Sequence, residues 1–463
     1  MSTHEALHLI FRGLIDDLDC QAIVAIEMVP GLNESAGDGP VPTDHGNKPY
    51  YPFEVAKGTL GIPAWVCPLL FGHLRRLRKH GLPSASLPTR ELMSFTQSLL
   101  ILNHRDYSAW NQRKRWLLLN GTRKDWHDEM RLTALILGMR KRSSCDDVWN
   151  HRKWTLRQLK RQGDQRAYLG YLANDYVLCD QAATAYPRLY YAWTYRQFLD
   201  RSLLAALPDP GFSGTLNIFD TVGDSLWQAW AGTHRWLRLH VSDHSAGAYG
   251  LALTRCLTDY INRCPLAVHH DQARQAAEGQ AGPLAAFYRI NQRSGDLVYA
   301  TSDDQSIGLA LTGCVIALHA LATRDLLRLY PTHEALWCNF RHGLVLAVAF
   351  NRRHQGRLAI QAANSIGWLL EGLRYHQEEV TADLAALGIV LTIPNCAPSS
   401  DAPSNARWDQ LWGLSTTNTA DHLAWVRAAL DDTGPHQPVA SGIPRTLAER
   451  YQRWLHMHEA AED

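Results

Sequence analysis

Tyr107-Ser-Ala-Trp110-Asn-Gln-Arg113 and Tyr190-Tyr-Ala-Trp193-Thr-Tyr-Arg196 are two copies of one short pattern, and Asp146-Asp-Val-Trp149-Asn-His-Arg152 is a third without the leading Tyr. The three Trp residues recur at intervals of roughly 40 residues, the length of one helical hairpin. A single hairpin cannot cover its own apolar face, so this interval implies a stack of neighbours. Within each copy Trp and Arg stand three apart and share a helix face. That face runs on through Leu117 and Leu118 after Trp110, and through Leu156 and Leu159 after Trp149. Ser108 stands where an N-cap is expected, which puts Trp110 in the first helical turn. Trp110, Arg113, Trp149, Arg152, Trp193 and Arg196 therefore read as a packing signature. The Trp wedges against the preceding hairpin, and the Arg stacks on a ring or bonds carbonyls ending an adjacent helix.

Outward from these copies the helical period continues. Leu7, Ile10, Phe11, Leu14, Ile15 and Leu18 mark one helix face, and a Gly/Pro-rich loop follows over about 30–52. Helices are predicted over 64–79, 90–102, 108–119, 125–137 and 148–162, with short polar breaks between them. Few runs alternate with period two, so strands are not expected. Three interruptions, 207–215, 262–307 and 394–407, are too long for hairpin turns. The chain then divides into an N-terminal helix and loop (1–60), the repeats (61–350) with the insertion at 262–307, and a C-terminal helical region (351–463) with the linker at 394–407.

Composition narrows the class of function. The 463 residues are 46% hydrophobic and 20% charged with a formal net charge of +1, so no global field draws the chain to nucleic acid or to a membrane surface. Nine Cys without a CxxC pair argue against a disulfide framework or a zinc ribbon and for reduced thiols. The longest apolar stretch, 309–323, contains His319 and is too short to span a bilayer. No secretory signal or C-terminal prenylation Cys stands out, and a soluble, cytoplasmic protein without stable membrane insertion is expected. No Walker loop, GxSxG elbow or HExxH supports an independent NTPase, hydrolase or protease. His240 and His244 have i, i+4 spacing but lack a third ligand, so no metal site is assigned and a capping or packing pair is expected. The basic clusters Arg75-Arg-Leu-Arg-Lys79 and Arg140-Lys-Arg142 read first as solvated helix faces.

The Tyr-x-x-Trp-x-x-Arg pattern resembles the repeat of protein prenyltransferase alpha subunits. Two further blocks, His240-Val-Ser-Asp243-His244-Ser245 and Tyr330-Pro-Thr-His333-Glu334-Ala-Leu-Trp337-Cys338, are similar to the fourth and fifth repeats of the branch of repeat-containing proteins. The resemblance covers about 65–350. It implies an all-α, right-handed alpha-alpha superhelix, a TPR-like crescent of helical hairpins that wraps a beta subunit. The beta subunit of such enzymes holds the catalytic zinc and the isoprenoid diphosphate, so no cofactor is expected on this chain. The branch is understood as the alpha subunit of a type III geranylgeranyltransferase. It pairs with the Rab geranylgeranyltransferase beta subunit and acts on already farnesylated proteins such as a SNARE.

Carried onto this sequence, the resemblance places the polar residues ahead of each Trp against the beta subunit. Tyr107, Asp243, His244, His333 and Glu334 become candidate partner contacts. Tyr190 and Tyr191 become candidate catalytic contacts to diphosphate or partner, since a phenol donates to an anionic oxygen. Trp337 joins the packing signature. The sequence also departs from the pattern. Ser144 stands where related alpha subunits carry a diphosphate-contacting Lys, with Lys141 and Arg142 nearby. Gly247 and Gly250 replace the Trp and Arg of the fourth repeat, Phe340 occupies the Arg slot of the fifth with Arg341 one residue later, and Asp146 replaces Tyr in the second. Two functions therefore stay open: a non-zinc prenyltransferase alpha subunit, and a helical-repeat adaptor that kept the fold without the enzyme role.

Overall fold

The structure is a computed structural model, and it describes residues 3–16, 25–29, 52–80, 90–139, 142–186, 188–208, 216–264 and part of 308–346. Helices α1 (Thr3–Asp16), α2 (Val66–His80), α3 (Arg90–Leu102), α4 (Tyr107–Asn120), α5 (Arg123–Gly138), α6 (Asp146–Arg161), α7 (Gln165–Ala185), α8 (Tyr190–Leu204), α9 (Leu216–Leu239) and α10 (His244–Arg263) dominate. The predicted helices match them within two residues at either end. The chain divides into two compact units, Met1–Leu199 and Asp200–Asp463, with the division inside α8. The linker at 394–407, the C-terminal region and nearly all of the 262–307 insertion lie outside the described residues.

One expectation fails near the N-terminus. Strands β1 (Ala25–Val29), β2 (Glu54–Ala56) and β3 (Thr59–Pro63) form a small sheet of order β1-β3-β2. β2 and β3 pair antiparallel across the two-residue turn Lys57-Gly58, where both residues have positive φ (49° and 78°). That is the geometry that matches the natural strand twist. β1 pairs parallel to β3, Ile26 opposite Leu60 and Met28 opposite Ile62. Strands of three to five residues are too short to show an alternating period. A parallel pair also needs a long connection, so the partner of β3 lies far back along the chain. α1 packs along α2 and α3 and buries Leu7, Phe11 and Leu14, and the Phe11 ring stacks on Phe53, next to β2, at 5.4 Å.

In the first unit α3–α4, α5–α6 and α7 with the first ten residues of α8 (190–199) are the hairpins implied by the Trp interval. The starts of α4, α5 and α7 are capped by side chains that satisfy orphan N–H groups of a helix N-terminus, whereas α6 begins after Cys145 without a side-chain cap. Asp106 caps α4 by accepting from the Ala109 N–H, two residues ahead of the expected Ser108. Thr122 and Asp125 form a reciprocal capping box on α5, and Asp164 caps α7. Gly163, with φ of 79°, makes the left-handed exit from α6. In the second unit α9 packs along α10, which Asp243 caps.

Candidate functional site

Trp110, Trp149, Trp193 and Trp337 are all buried, none more than 3% exposed. The indole N–H of Trp110 donates to the His104 carbonyl (2.9 Å), and that of Trp149 donates to the Ser143 carbonyl (2.7 Å). In both hairpins the ring thus fixes the turn leading into its own helix. The continuing face holds for Leu117, Leu156 and Leu159, which are buried, but Leu118 is 61% exposed and falls off it.

The Arg residues do more than meet helix-end carbonyls. Arg113 donates to Glu129 on α5 through Nε (3.0 Å) and Nη2 (2.5 Å). Its Nη1 reaches back to the Met93 carbonyl (2.7 Å) and the Thr96 hydroxyl (3.1 Å) on α3. Arg152 repeats the arrangement one hairpin on. It donates to both carboxylate oxygens of Asp175 on α7, and to the Met130 carbonyl and Thr133 hydroxyl on α5. The carbonyls lie within helices, where a second lone pair is available, rather than at their ends. Each carboxylate also bonds a ring on the second helix of its own hairpin. His151, two residues after Trp149, lies 2.6 Å from Glu129, and Tyr195, two residues after Trp193, donates to Asp175 at 2.5 Å. Arg196 instead pairs with Asp180 and the Tyr176 carbonyl of the preceding helix, with its guanidinium 5.1 Å from the Trp193 ring.

Burial alone would raise the carboxyl of Glu129. The Arg113 charge and the His151 hydrogen bond outweigh it and hold the group at about 2. His151 moves down because burial exceeds the pull of Glu129, so it stays neutral and donates its ring N–H. Arg152 rises, since Asp175 overrides its burial. The sequence reading missed Glu129, Asp175, His151 and Tyr195. Their signal was partial: each carboxylate has apolar residues three positions to either side (Trp126 and Leu132 around Glu129, Leu172 and Leu178 around Asp175), and a hydrogen-bonding ring stands two residues past the Trp.

Ahead of each Trp the chemistry changes. The residue three positions before the Trp slot is exposed in every described hairpin: Tyr107 (65%), Asp146, Tyr190 (62%), His244 and Glu334. Tyr107 is raised by a hydrogen bond to Asp147, which ties the α3–α4 turn to the start of α6. The Tyr190 and Tyr191 rings meet edge-on with centroids 5.8 Å apart, Tyr191 half-buried. Asp243 is 3% exposed. One of its oxygens caps Ser245 and Ala246 and the other accepts from the Trp236 indole (3.2 Å). His333 is half-buried in the turn before the Trp337 helix, its ring 6.0 Å from that of Tyr330.

The departures also have a physical form. His240 follows the end of α9 and stacks on Trp236 at 3.9 Å, whereas His244 opens α10, so their spacing is not that of one helix face. Arg142 is half-buried and donates to the Leu102 carbonyl (3.0 Å) beside His104, while Lys141 and Arg341 lie outside the described residues. Around the glycines of the fourth repeat the space is filled by other side chains. A Cβ on Gly247 would meet Asn339 at 3.5 Å, and one on Gly250 would meet Thr233 at 3.4 Å and His319 at 3.6 Å. Among the described residues the one group with metal-ligand proximity is Cys145, Asp146 and Asp147. These are neighbours in sequence, and burial pushes the Cys145 thiol up, which keeps it protonated.

Comparison with known proteins agrees with this repeat geometry. The protein prenyltransferase alpha subunit repeat matches residues 89–119 and 172–203, which are the α3–α4 hairpin and most of α7–α8. The chain carries that repeat. It is similar to the protein prenyltransferase alpha subunit repeat-containing protein 1 of Danio rerio, 25% identical over 350 residues that cover 71% of this chain and 72% of the relative. The Homo sapiens protein of the same description is 24% identical over 306 residues, covering 63% and 68%. A shorter likeness, 26% over 122 residues, joins 24% of this chain to 31% of the Candida albicans geranylgeranyl transferase type-2 subunit alpha.

Proposed function

We propose that this chain is the non-zinc alpha subunit of a heterodimeric protein geranylgeranyltransferase. In this reading it supports transfer of an isoprenoid to a protein cysteine by binding and orienting a beta subunit of the Rab geranylgeranyltransferase type. The observation that carries the proposal is the contrast within each hairpin. The residues in the Trp slots (Trp110, Trp149, Trp193, Gly247 and Trp337) are buried behind a turn whose residue three positions earlier is exposed. Exposed Tyr, Asp, His and Glu at one repeated position contribute little to packing, and the recurrence of exposure there from hairpin to hairpin suits a partner surface. The Candida albicans relative, a geranylgeranyl transferase subunit, supports the same direction.

Prenyl transfer needs a thiolate made nucleophilic by zinc and groups that stabilise the departing diphosphate. In the proposed complex zinc and isoprenoid diphosphate are bound by the beta subunit. Tyr190 and Tyr191 supply phenol donors to the diphosphate or to the partner, while Tyr107, His244, His333 and Glu334 meet the beta subunit. Asp243 acts behind His244 by fixing the turn that presents it. The acceptor class is a protein that already carries a farnesyl group, and the site of action is the cytoplasm. No helix of the described residues is long and apolar enough to cross a membrane.

The test is co-expression with a Rab-type beta subunit, followed by transfer of labelled geranylgeranyl to a farnesylated acceptor. A stable heterodimer that transfers the label is expected. Failure to form a heterodimer overturns the enzyme reading. A heterodimer without transfer favours the adaptor, a reading for which Ser144 and the glycines of the fourth repeat speak.

A further inference from the structure

We propose that the cavity between α2, α3 and the turn into α4 binds a small phosphorylated molecule with an apolar body. The cavity has a volume of about 430 Å³ and is lined by Phe71, Arg75, Arg78, Lys79, Leu99, Asn103 and Asp106. That volume lies within the range of small-molecule sites. Phe71, Arg75, Arg78 and Lys79 stand at i, i+4, i+7 and i+8 of α2 and so share one face.

Three cations on one helix face repel one another, since like charges three and four residues apart are mutually destabilising. The lining offers one carboxylate against them. Asp106 holds Arg78 at 2.6 Å through Oδ2 while its Oδ1 caps α4. Arg78 and Asp106 cancel, and Arg75 with Lys79 leaves an excess of two positive charges, the complement of a phosphate dianion. Basic residues in a last helical turn also complement the helix dipole. The dipole accounts for neither the concavity nor its apolar floor of Phe71 and buried Leu99. Arg75 extends over that floor, its guanidinium carbon 5.9 Å from the Phe71 ring centroid.

The division of the lining fits the two ends of such a ligand. A guanidinium fork pairs with two phosphoryl oxygens at once, the Lys79 ammonium adds a point charge, and the Asn103 amide supplies a neutral donor. The Phe71 and Leu99 side chains would cover an aromatic or aliphatic body. A bare phosphate leaves that part of the cavity empty, and a carboxylate leaves one positive charge unmatched.

The experiment titrates the full chain with phenyl phosphate, inorganic phosphate and benzoate by calorimetry at constant ionic strength. Phenyl phosphate is expected to saturate one site and to bind more tightly than either of the others. Arg75→Ala with Lys79→Ala, both at exposed positions, should weaken it at least roughly tenfold, the loss expected when charge-assisted hydrogen bonds are removed. Arg75→Gln with Lys79→Gln, which keeps the stems, should do the same, and Arg115→Ala on exposed α4 surface should change nothing. The absence of saturable binding overturns the proposal. So does benzoate binding as tightly as phenyl phosphate, or an affinity in the paired variants equal to that of the unaltered chain.

Discussion

Arg113 joins three helices through one guanidinium, and the burial of its partner decides what its loss does. Glu129 has no exposed surface, so removing the cation leaves a carboxylate without its counter-charge in the core. Arg113→Met should cost about 3–5 kcal/mol in urea denaturation, the range for breaking a buried pair. Arg113→Met with Glu129→Leu should cost less than the single change, because no unpaired charge then remains. Equal losses in both would show that the pair acts only by packing. Tyr190→Phe with Tyr191→Phe is a different test. Tyr190 is exposed, so stability should stay within about 0.5 kcal/mol, and slower transfer in the assembled enzyme is the outcome the proposed role requires. Unchanged rates would remove both phenols from the active site.

At the scale of the elements, what could be read from the sequence followed the strength of the local signal. The α3 and α4 bounds were legible because apolar periodicity is reinforced there by the Trp and Arg repeat. The sheet was not, since β1 and β3 find each other across a long stretch of chain and neither is long enough to show its period. The partners of Arg113 and Arg152 were hidden for the same reason: Glu129 and Asp175 lie on connecting helices whose approach no local pattern encodes. Asp243 read as a contact residue, and the structure makes it a buried cap. The glycines of α9 and α10 give a paired test in thermal unfolding. A Cβ on Gly247 would meet only ordinary contacts, so Gly247→Ala should be neutral or stabilising by up to about 1 kcal/mol through helix propensity. A Cβ on Gly223 would lie 2.3 Å from the Tyr260 hydroxyl, which donates to the Phe219 carbonyl. Gly223→Ala should therefore destabilise by about 1–3 kcal/mol through overpacking. The reverse order would contradict the packing of this hairpin.

For the whole molecule, buried neutral imidazoles set the response to acid. Burial, then the charges of Arg142 and Arg105, lowers His104 to about 4, and burial lowers His319 to about 4 despite the Asn339 amide. His234 is pushed down by burial and by His319. In each case the unfolded chain takes up a proton below the ordinary histidine value of 6.5 while the folded chain does not. Stability is therefore intact above that value and falls as pH drops from 6.5 toward about 4. For fully buried His319 alone the loss approaches about 3 kcal/mol at the lower end. Glu129 adds to it from about 4.5 down toward about 2, as its depressed carboxyl is protonated. Denaturant unfolding at pH 7, 5.5 and 4.5 should show this decline, and a flat profile would mean that the imidazoles are solvated.

The exposed positions ahead of each Trp carry the functional account, and affinity for the beta subunit tests them most directly. The measurement compares the dissociation constant of the unaltered chain for a Rab-type beta subunit with that of Tyr107→Ala, Tyr190→Ala, His244→Ala combined. All three side chains are exposed and lie outside the buried Arg–carboxylate chain. The account predicts a folded variant, destabilised only slightly through the lost Tyr107 hydrogen bond, and an affinity lower by at least roughly tenfold, the scale of interface hot spots. Equal affinity in the two proteins would contradict it.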